Sequence, residues 1–427
     1  MRYPDYIEAP FPFPPFSRVE MRYPGTALAD PVKELESQLV RALDRADVRA
    51  GQQVAVGVGS RGIANISSFV AAICQCIRDK GAEPFIIPAM GSHGSATSQG
   101  QAQVLEHLGV TADSCGAPVC PDMAATRIGT ALDGEPVYFS TQALKADHTV
   151  FINRIKPHTK FKGPMESGLY KMMVVGLGRH KGALVFHNMA LKYGFYTLLK
   201  AMGDVIIEKS NVSIAVGVVE DSLDRTMAVS VIPAQEIFDR EPGLLETAKA
   251  NFPRLPYRDL DVLVIRKVGK EISGSGMDPN VTGRTFDFME DDFSQSLSVK
   301  RVVVLNLSPK TAGNGIGIGN ADIITEKVFQ GLDYEATLMN ALTAVSLRKA
   351  FIPVRLPTEE KAIQAACQTI GPITPQDLRI VIIEDTLHAT RFWASHALAD
   401  QTRKIQGARV LEDIRLRFDF RGDLIFD

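Results

Sequence analysis

The sequence predicts an α/β protein made of two α/β domains, each with a largely parallel sheet, and an interdomain cleft. Three observations predict it. Short apolar runs rich in Val and Ile alternate with helical patterns, the rhythm of parallel strands joined by helical crossovers. That rhythm pauses near residue 255 and then begins again. The length of 427 residues is enough for two or three cores at roughly 100 to 200 residues each. A composition of 45% hydrophobic and 22% charged residues with one Trp argues against a disordered, collagenous or disulfide-stapled chain.

Residues 1–30 hold Pro10, Phe11, Pro12, Phe13, Pro14, Pro15 and Phe16, which do not form a regular helix and read as an extended arm for packing or subunit contact. Residues 31–255 make the first domain. Val32, Leu35, Leu39, Val40 and Leu43 lie on one helical stripe and predict a helix from Pro31 to Ala46. VAVGVGSRG, a helix from Ile66 to Lys80, Gly81 and then EPFIIPAMGSHG read as a βαβ unit. Further strands are expected at His148 to Arg154 and Val212 to Val219, and helices at Gly182 to Met202 and Leu244 to Ala250. Residues 256–427 make the second domain, with strands in LDVLVIRKVG, RVVVLNLS and LRIVIIED, a helix near Glu335 to Ser346, and a late helical segment holding His388, Trp393 and His396. Its tail is allowed to return to the first domain.

The balance of 47 basic against 49 acidic residues, a net charge of −2, provides no field for phosphate backbones or anionic lipid. Nucleic acid is therefore not expected as a main partner. No basic n-region followed by an apolar h-region opens the sequence, and its apolar runs fall far short of the ~20 residues that cross a bilayer. A cytoplasmic protein without membrane attachment is expected. The five cysteines lack CxxC spacing and read as buried or incidental thiols.

Chemistry is expected where polar, titratable residues follow strands, because open α/β sheets place ligands at their carboxyl ends. GSRG puts Arg61 there, a guanidinium fork able to grip a carboxylate or, alternatively, to make a surface ion pair. PAMGSHG puts His93 among Gly and Ser, where an imidazole can take and return a proton near neutral pH. The richest stretch runs from His158 to His187 and includes Glu166, Lys171 and His180. Lys171 precedes the apolar MMVVGLG, so low-dielectric surroundings would favour its uncharged, nucleophilic form. Glu166 could contact a substrate or neutralise Lys160 and Lys162. GKEISGSGMDPN and AGNGIGIGNAD are glycine-rich but lack both the GxxxxGK[ST] and the GxGxxG order, and read as turns or cleft-lining loops.

Arg61 in a βα turn, GSHG with His93, and then His158, Lys171 and His187 together resemble the nickel-dependent lactate racemase family, over the stretch from about Val54 to His187. In that family a pattern like HxxxGxSGGxK carries an acid/base histidine and a lysine bonded to a nickel pincer nucleotide, and a histidine some sixteen residues later binds the nickel. The resemblance implies His158 and His93 as the two acid/base residues, Lys171 as the covalent anchor with Ser167 and Gly168 beside it, and His187 as metal ligand. Arg61 and, more loosely, Lys270 and Glu166 would bind substrate. It also implies racemisation or epimerisation of a 2-hydroxy acid by proton-coupled hydride transfer through a transient 2-keto acid. Partners would be that small acid, the proteins that make the cofactor, and further copies of the chain in a homo-oligomer. Val58 where the family has aspartate, a loop about three residues longer, and SGLYK in place of SGGxK mark a divergent member. His180 is a rival metal ligand, disfavoured by Arg179 and Lys181. Two other readings are an NAD(P)-dependent oxidoreductase of hydroxy acids, motivated by the glycine-rich loops, and a non-catalytic binder of the cofactor or of a hydroxy acid.

Overall fold

The computed structural model describes residues 3–60, 62–285 and 297–425. The chain divides into two compact units, Pro24–Phe252 on the one hand and Met1–Tyr23 with Pro253–Asp427 on the other.

Five strands form the sheet of the Pro24–Phe252 unit, in the order Glu83–Pro88, Gln53–Val58, His148–Arg154, Val212–Glu220, Thr226–Pro233. The first four are parallel and the last is antiparallel to its neighbour. Val54 pairs with Pro84 on one side and His148 on the other, which sets the three site-bearing strands in register. Their interiors are β-branched and buried on both faces, the pattern of a helix-covered parallel sheet.

The helix Pro31–Arg45 starts at Asp30, whose side chain accepts the Lys33 N–H at 3.0 Å, with Pro31 at the first helical position. Its buried Leu35, Leu39 and Leu43 meet Phe69, Ile73 and Ile77 of the helix Ile66–Asp79 and Val54, Val56 and Val58 of the sheet. Each such side chain contributes about 1.5 to 3 kcal/mol by burial. The helix expected from Gly182 to Met202 is two helices, Arg179–Tyr193 and Phe195–Lys209, parted at Gly194 with φ 78 and ψ 150, backbone that glycine adopts without strain.

In the other unit an eight-stranded sheet runs Val354–Leu356, Ile323–Thr325, Ser298–Leu307, Asp259–Val268, Ile380–Ile383, Arg391–Ser395, Phe16–Met21, Ala408–Ile414. The first five strands are parallel and the last three antiparallel. Two expectations change here. Within the arm, Asp5–Glu8 is a helical turn and Phe16–Met21 is a strand inside the sheet. The late segment read as helical is the strand Arg391–Ser395, in which Trp393 pairs with Arg18 and Ile382. Both follow from one pairing between residues remote in sequence, which local periodicity does not register. The fold class is mixed α/β with largely parallel sheets.

Candidate active site

Because they are parallel, the strands Gln53–Val58, Glu83–Pro88 and His148–Arg154 deliver their carboxyl ends to one edge of the sheet. The first leads to Ser60 and then Arg61, which lies outside the described residues. Ser60 Oγ makes a short contact with His93 Nδ1.

His93 is exposed and sits in the loop after the second strand. Two features hold that loop. Gly91 has φ 58, donates its N–H to Gly176 O at 3.2 Å, and comes so near Val175 that a Cβ would lie 2.9 Å from its carbonyl oxygen. Fully buried Gln101 donates from Nε2 to the carbonyls of Gly91 at 2.9 Å and His93 at 3.2 Å.

The third strand leads to His158, which is 8% exposed. Its Nδ1 accepts the Lys160 N–H at 3.0 Å, its Nε2 lies 2.7 Å from Lys171 Nζ, and its ring packs on Phe161 with centroids 4.3 Å apart. Burial holds the imidazole pKa well below its ordinary value, and the neighbouring Lys171, Lys160, His187 and Lys162 act in the same direction. Glu166, a candidate substrate contact by sequence, is fully buried. It accepts the N–H groups of His158 at 2.7 Å and Gly163 at 3.3 Å and pairs with Lys249 at 3.1 Å and Lys162 at 3.6 Å. Its carboxylate anchors the loop that carries His158.

Lys171 ends the short helical turn Leu169–Lys171. Above that turn sits the buried carboxylate of Glu241, which accepts the N–H groups of Leu169 and Tyr170 at 3.0 Å each. Two orphan donors at a helix start are thereby satisfied. Desolvation pushes the Glu241 pKa up to about 7, against the lowering effect of those two donors. Gly168 makes the approach feasible, since a Cβ there would lie 1.9 Å from Glu241 Oε1. Ser167 exchanges backbone hydrogen bonds with Lys156 at 2.8 and 3.2 Å. Both SGLYK residues before the helix therefore shape the backbone beneath Lys171.

Past Lys171 the helix widens to π geometry over Met172–Leu177, a form that recurs at functional sites. An unbroken helix would set Lys171 and His187 about 24 Å apart at ~1.5 Å per residue. Arg179, with φ 57, interrupts it, and His187 comes back close enough for Lys171, Lys160 and His93 to add to the burial that lowers its pKa to about 3. Arg179 is fully buried. Its guanidinium donates to Pro88 O, to Ser140 Oγ at 3.2 Å and to Gln101 Oε1 at 3.4 Å, all uncharged, and burial lowers its pKa to about 10. Arg179 and Gln101 thus tie the helix that carries His187 to the His93 loop.

His93, His158, Lys171 and His187 consequently gather at one sheet edge within one unit. His180 stands exposed at the first turn of its helix. Glu241 and Gln101 were not read from the sequence, and Arg179 was read only as a cation beside His180. A charged residue at the start of a helix gives no sign of burial.

Lys270 belongs to the other unit, where its Nζ donates to Asn340 Oδ1 at 2.6 Å and its N–H to Thr311 Oγ1 at 3.2 Å. The two glycine-rich loops pack against each other there. A Cβ on Gly276 would fall 1.6 Å from Ile316 O, and one on Gly317 2.0 Å from Ser275 O. Glycine is required for the contact of two backbones. Cys74, Cys76, Cys115, Cys120 and Cys367 are free thiols, and burial raises Cys74 and Cys367 to about 12.

Among the described residues no group of three or more His, Cys, Asp or Glu side chains could hold a metal ion, and no helix is long and apolar enough to cross a membrane. No protein-family model and no curated protein matches the sequence. Solved structures do match. The lactate racemase apoprotein from Thermoanaerobacterium thermosaccharolyticum superposes with a TM-score of 0.54, covering 87% of this chain and 99% of its own at 14% identity. The chain has the lactate racemase fold. A crystal structure of a Thermotoga maritima protein gives a TM-score of 0.52, covering 82% of this chain and 94% of its own at 15% identity. At such identities it is the fold that is shared.

Proposed function

We propose that the protein is a racemase or epimerase of a 2-hydroxy acid that works with a nickel pincer nucleotide bonded to Lys171. The observation that carries the proposal is the meeting of Lys171 Nζ with His158 Nε2 at 2.7 Å, beside His187 and on the sheet edge that also bears His93. The fit of the cofactor rests on the donor set. A bare ion would find no group of three or more ligating side chains among the described residues, whereas a metal that arrives inside an organic ligand needs few more, and His187 supplies an uncharged imidazole, which nickel accepts readily.

Lys171 would hold the group covalently and His187 would bind its metal. Once bound, the group supplies a hydride acceptor, which spares the chain from removing a proton from a carbon next to a carboxylate. The chain's own work is then proton transfer at the substrate hydroxyl oxygen. His158, kept neutral by burial, and His93 are the imidazoles assigned to it, one for each face of the carbon, and general acid/base help of this kind is typically worth roughly 10² to 10⁴-fold. Arg61 is assigned the substrate carboxylate, Glu166 holds the His158 loop, and Glu241 with Gly168 sets the start of the Lys171 helix.

Intact mass and metal analysis of protein produced together with the cofactor-synthesis enzymes tests the proposal. A mass increase with bound nickel is expected in the natural chain and in His93→Ala and His158→Ala variants, and none in Lys171→Ala. Loading that survives loss of Lys171 would refute the assignment. Addition of D- and L-2-hydroxy acids to the loaded protein then reads turnover, which the two histidine variants should lack.

A further inference from the structure

We infer that Lys171 is held as an uncharged amine that accepts a hydrogen bond from the Nε2–H of a neutral His158, so that a nucleophilic nitrogen stands ready before any cofactor arrives. The inference deepens the proposal above and rests on its choice of Lys171 as the point of attachment. Two contacts of one imidazole carry it. Nδ1 of His158 receives the backbone N–H of Lys160 at 3.0 Å, and a peptide N–H donates only, so Nδ1 holds a lone pair there. That excludes the imidazolium and the Nδ1–H tautomer. A neutral ring then carries its hydrogen on Nε2, the atom 2.7 Å from Lys171 Nζ. An ammonium has three donors and no acceptor, and would oppose hydrogen to hydrogen at that distance. The uncharged amine has the lone pair the contact needs.

The surroundings agree. His158 lies tilted against Phe161 and Phe195, with centroids 4.3 and 6.4 Å away, where a second charge is costly. Lys160, Lys162 and His187 crowd the pair from the same loop and the following helix. Among the described residues, four carboxylates on the packed elements make these contacts. Glu166 holds the loop and pairs with Lys249, Glu241 takes the N–H groups of Leu169 and Tyr170, Asp204 meets the Tyr170 hydroxyl and Lys200, and Glu220 pairs with Arg154.

Competitive acetylation of the cofactor-free protein tests this through a trace of isotopic acetic anhydride, with lysine peptides read by mass spectrometry. In each event the amine nitrogen bonds to the acetyl carbon, acetate leaves and the amine proton goes to water. An ordinary solvent-exposed lysine gains about tenfold in rate per pH unit below the usual ~10.4, and exposed Lys209 is the internal reference. Lys171 should instead change less than about twofold between about pH 7 and about pH 10, because an amine that is already neutral has no proton to lose. The shape of this profile does not depend on how accessible the amine is. A Lys171 rate that climbs in parallel with Lys209 overturns the inference. A second readout needs no labelling at Lys171: nitrogen NMR of histidine-labelled protein, assigned through loss of the signal in His158→Gln, should give the neutral Nε2–H tautomer at neutral pH. An imidazolium or an Nδ1–H ring there would also overturn it. A flat Lys171 profile in a chain that takes up no cofactor would sink the attachment reading and leave this inference standing. A steep profile in a chain that loads fully would do the reverse.

Discussion

Two loop clusters follow parallel strands in this protein, one in each unit, and they use their glycines differently. At the edge of the five-stranded sheet, Gly91 and Gly168 let a backbone or a buried carboxylate come close beneath side chains that carry chemistry. After the strands Asp259–Val268 and Ser298–Leu307, Gly276 and Gly317 let two loops pack on each other's carbonyls. The first cluster surrounds its glycines with three imidazoles, an amine and buried Glu and Arg. Density of glycine therefore marks close approach in both places, and only the titratable neighbours tell which approach serves a reaction.

The hardest test of this contrast is Gly276→Ala. With φ 82 and a carbonyl oxygen 1.6 Å from the new Cβ, the loops must part, at a cost of about 4 kcal/mol or more. Trp393 is the only tryptophan and lies in the same unit, so its fluorescence during urea unfolding reads the loss. Covalent loading at Lys171 should survive in whatever fraction folds; a variant of full stability would mean that the loops are not bound by this contact. Arg179→Ala comes next, at about 3 kcal/mol, since it empties a buried volume and takes one donor from each of the acceptors on Pro88, Ser140 and Gln101. Hydrogen exchange at the strand Glu83–Pro88 should accelerate.

A pH series sharpens the comparison further. Glu241 is raised from 4.5 to about 7 in the folded chain, so between those values the folded state binds more protons than the unfolded one. The stability it gives is complete below about pH 4.5 and is lost as pH rises through 7, by roughly 3 to 4 kcal/mol at about 1.4 kcal/mol per unit. His187 runs the opposite way. Its pKa falls from 6.5 to about 3, so its contribution is present above pH 6.5 and lost as pH drops below it. Urea midpoints of Glu241→Gln should lack the decline towards pH 7 seen in the natural chain, and those of His187→Gln should lack part of the decline towards acid. The smallest effect is that of Gln101→Ala, about 1 kcal/mol for two hydrogen bonds to carbonyls, with a shift of the His93 titration in proton NMR as the sign that the loop has moved.

Much of this was legible in the sequence because it is local. The β-branched runs and the stripe of Leu35, Leu39 and Leu43 gave the strands and helices, and the order of His93, His158, Lys171 and His187 pointed to the sheet edge where they gather. What was missed depends on distance along the chain. The pairing of Phe16–Met21 with Arg391–Ser395 has no local signature, and the Gly178–Arg179 turn that returns His187 to Lys171 looks like helix in any window. Glu241 reads as a solvent-facing acid until the fold brings Gly168 against it, and Glu166 reads as a substrate contact until the loop closes on both of its oxygens.

The strand Phe16–Met21 sits between Arg391–Ser395 and Ala408–Ile414, and this imposes an order on biogenesis. It is made before both of those strands and has no neighbours to bond with until residues 391–414 have been translated. The intervening segment 24–252 has every one of its own strands in hand long before that and is free to fold first. Phe16–Met21 meanwhile waits as an unpaired ribbon, exposed to chaperones and proteases until its two partner strands have been made.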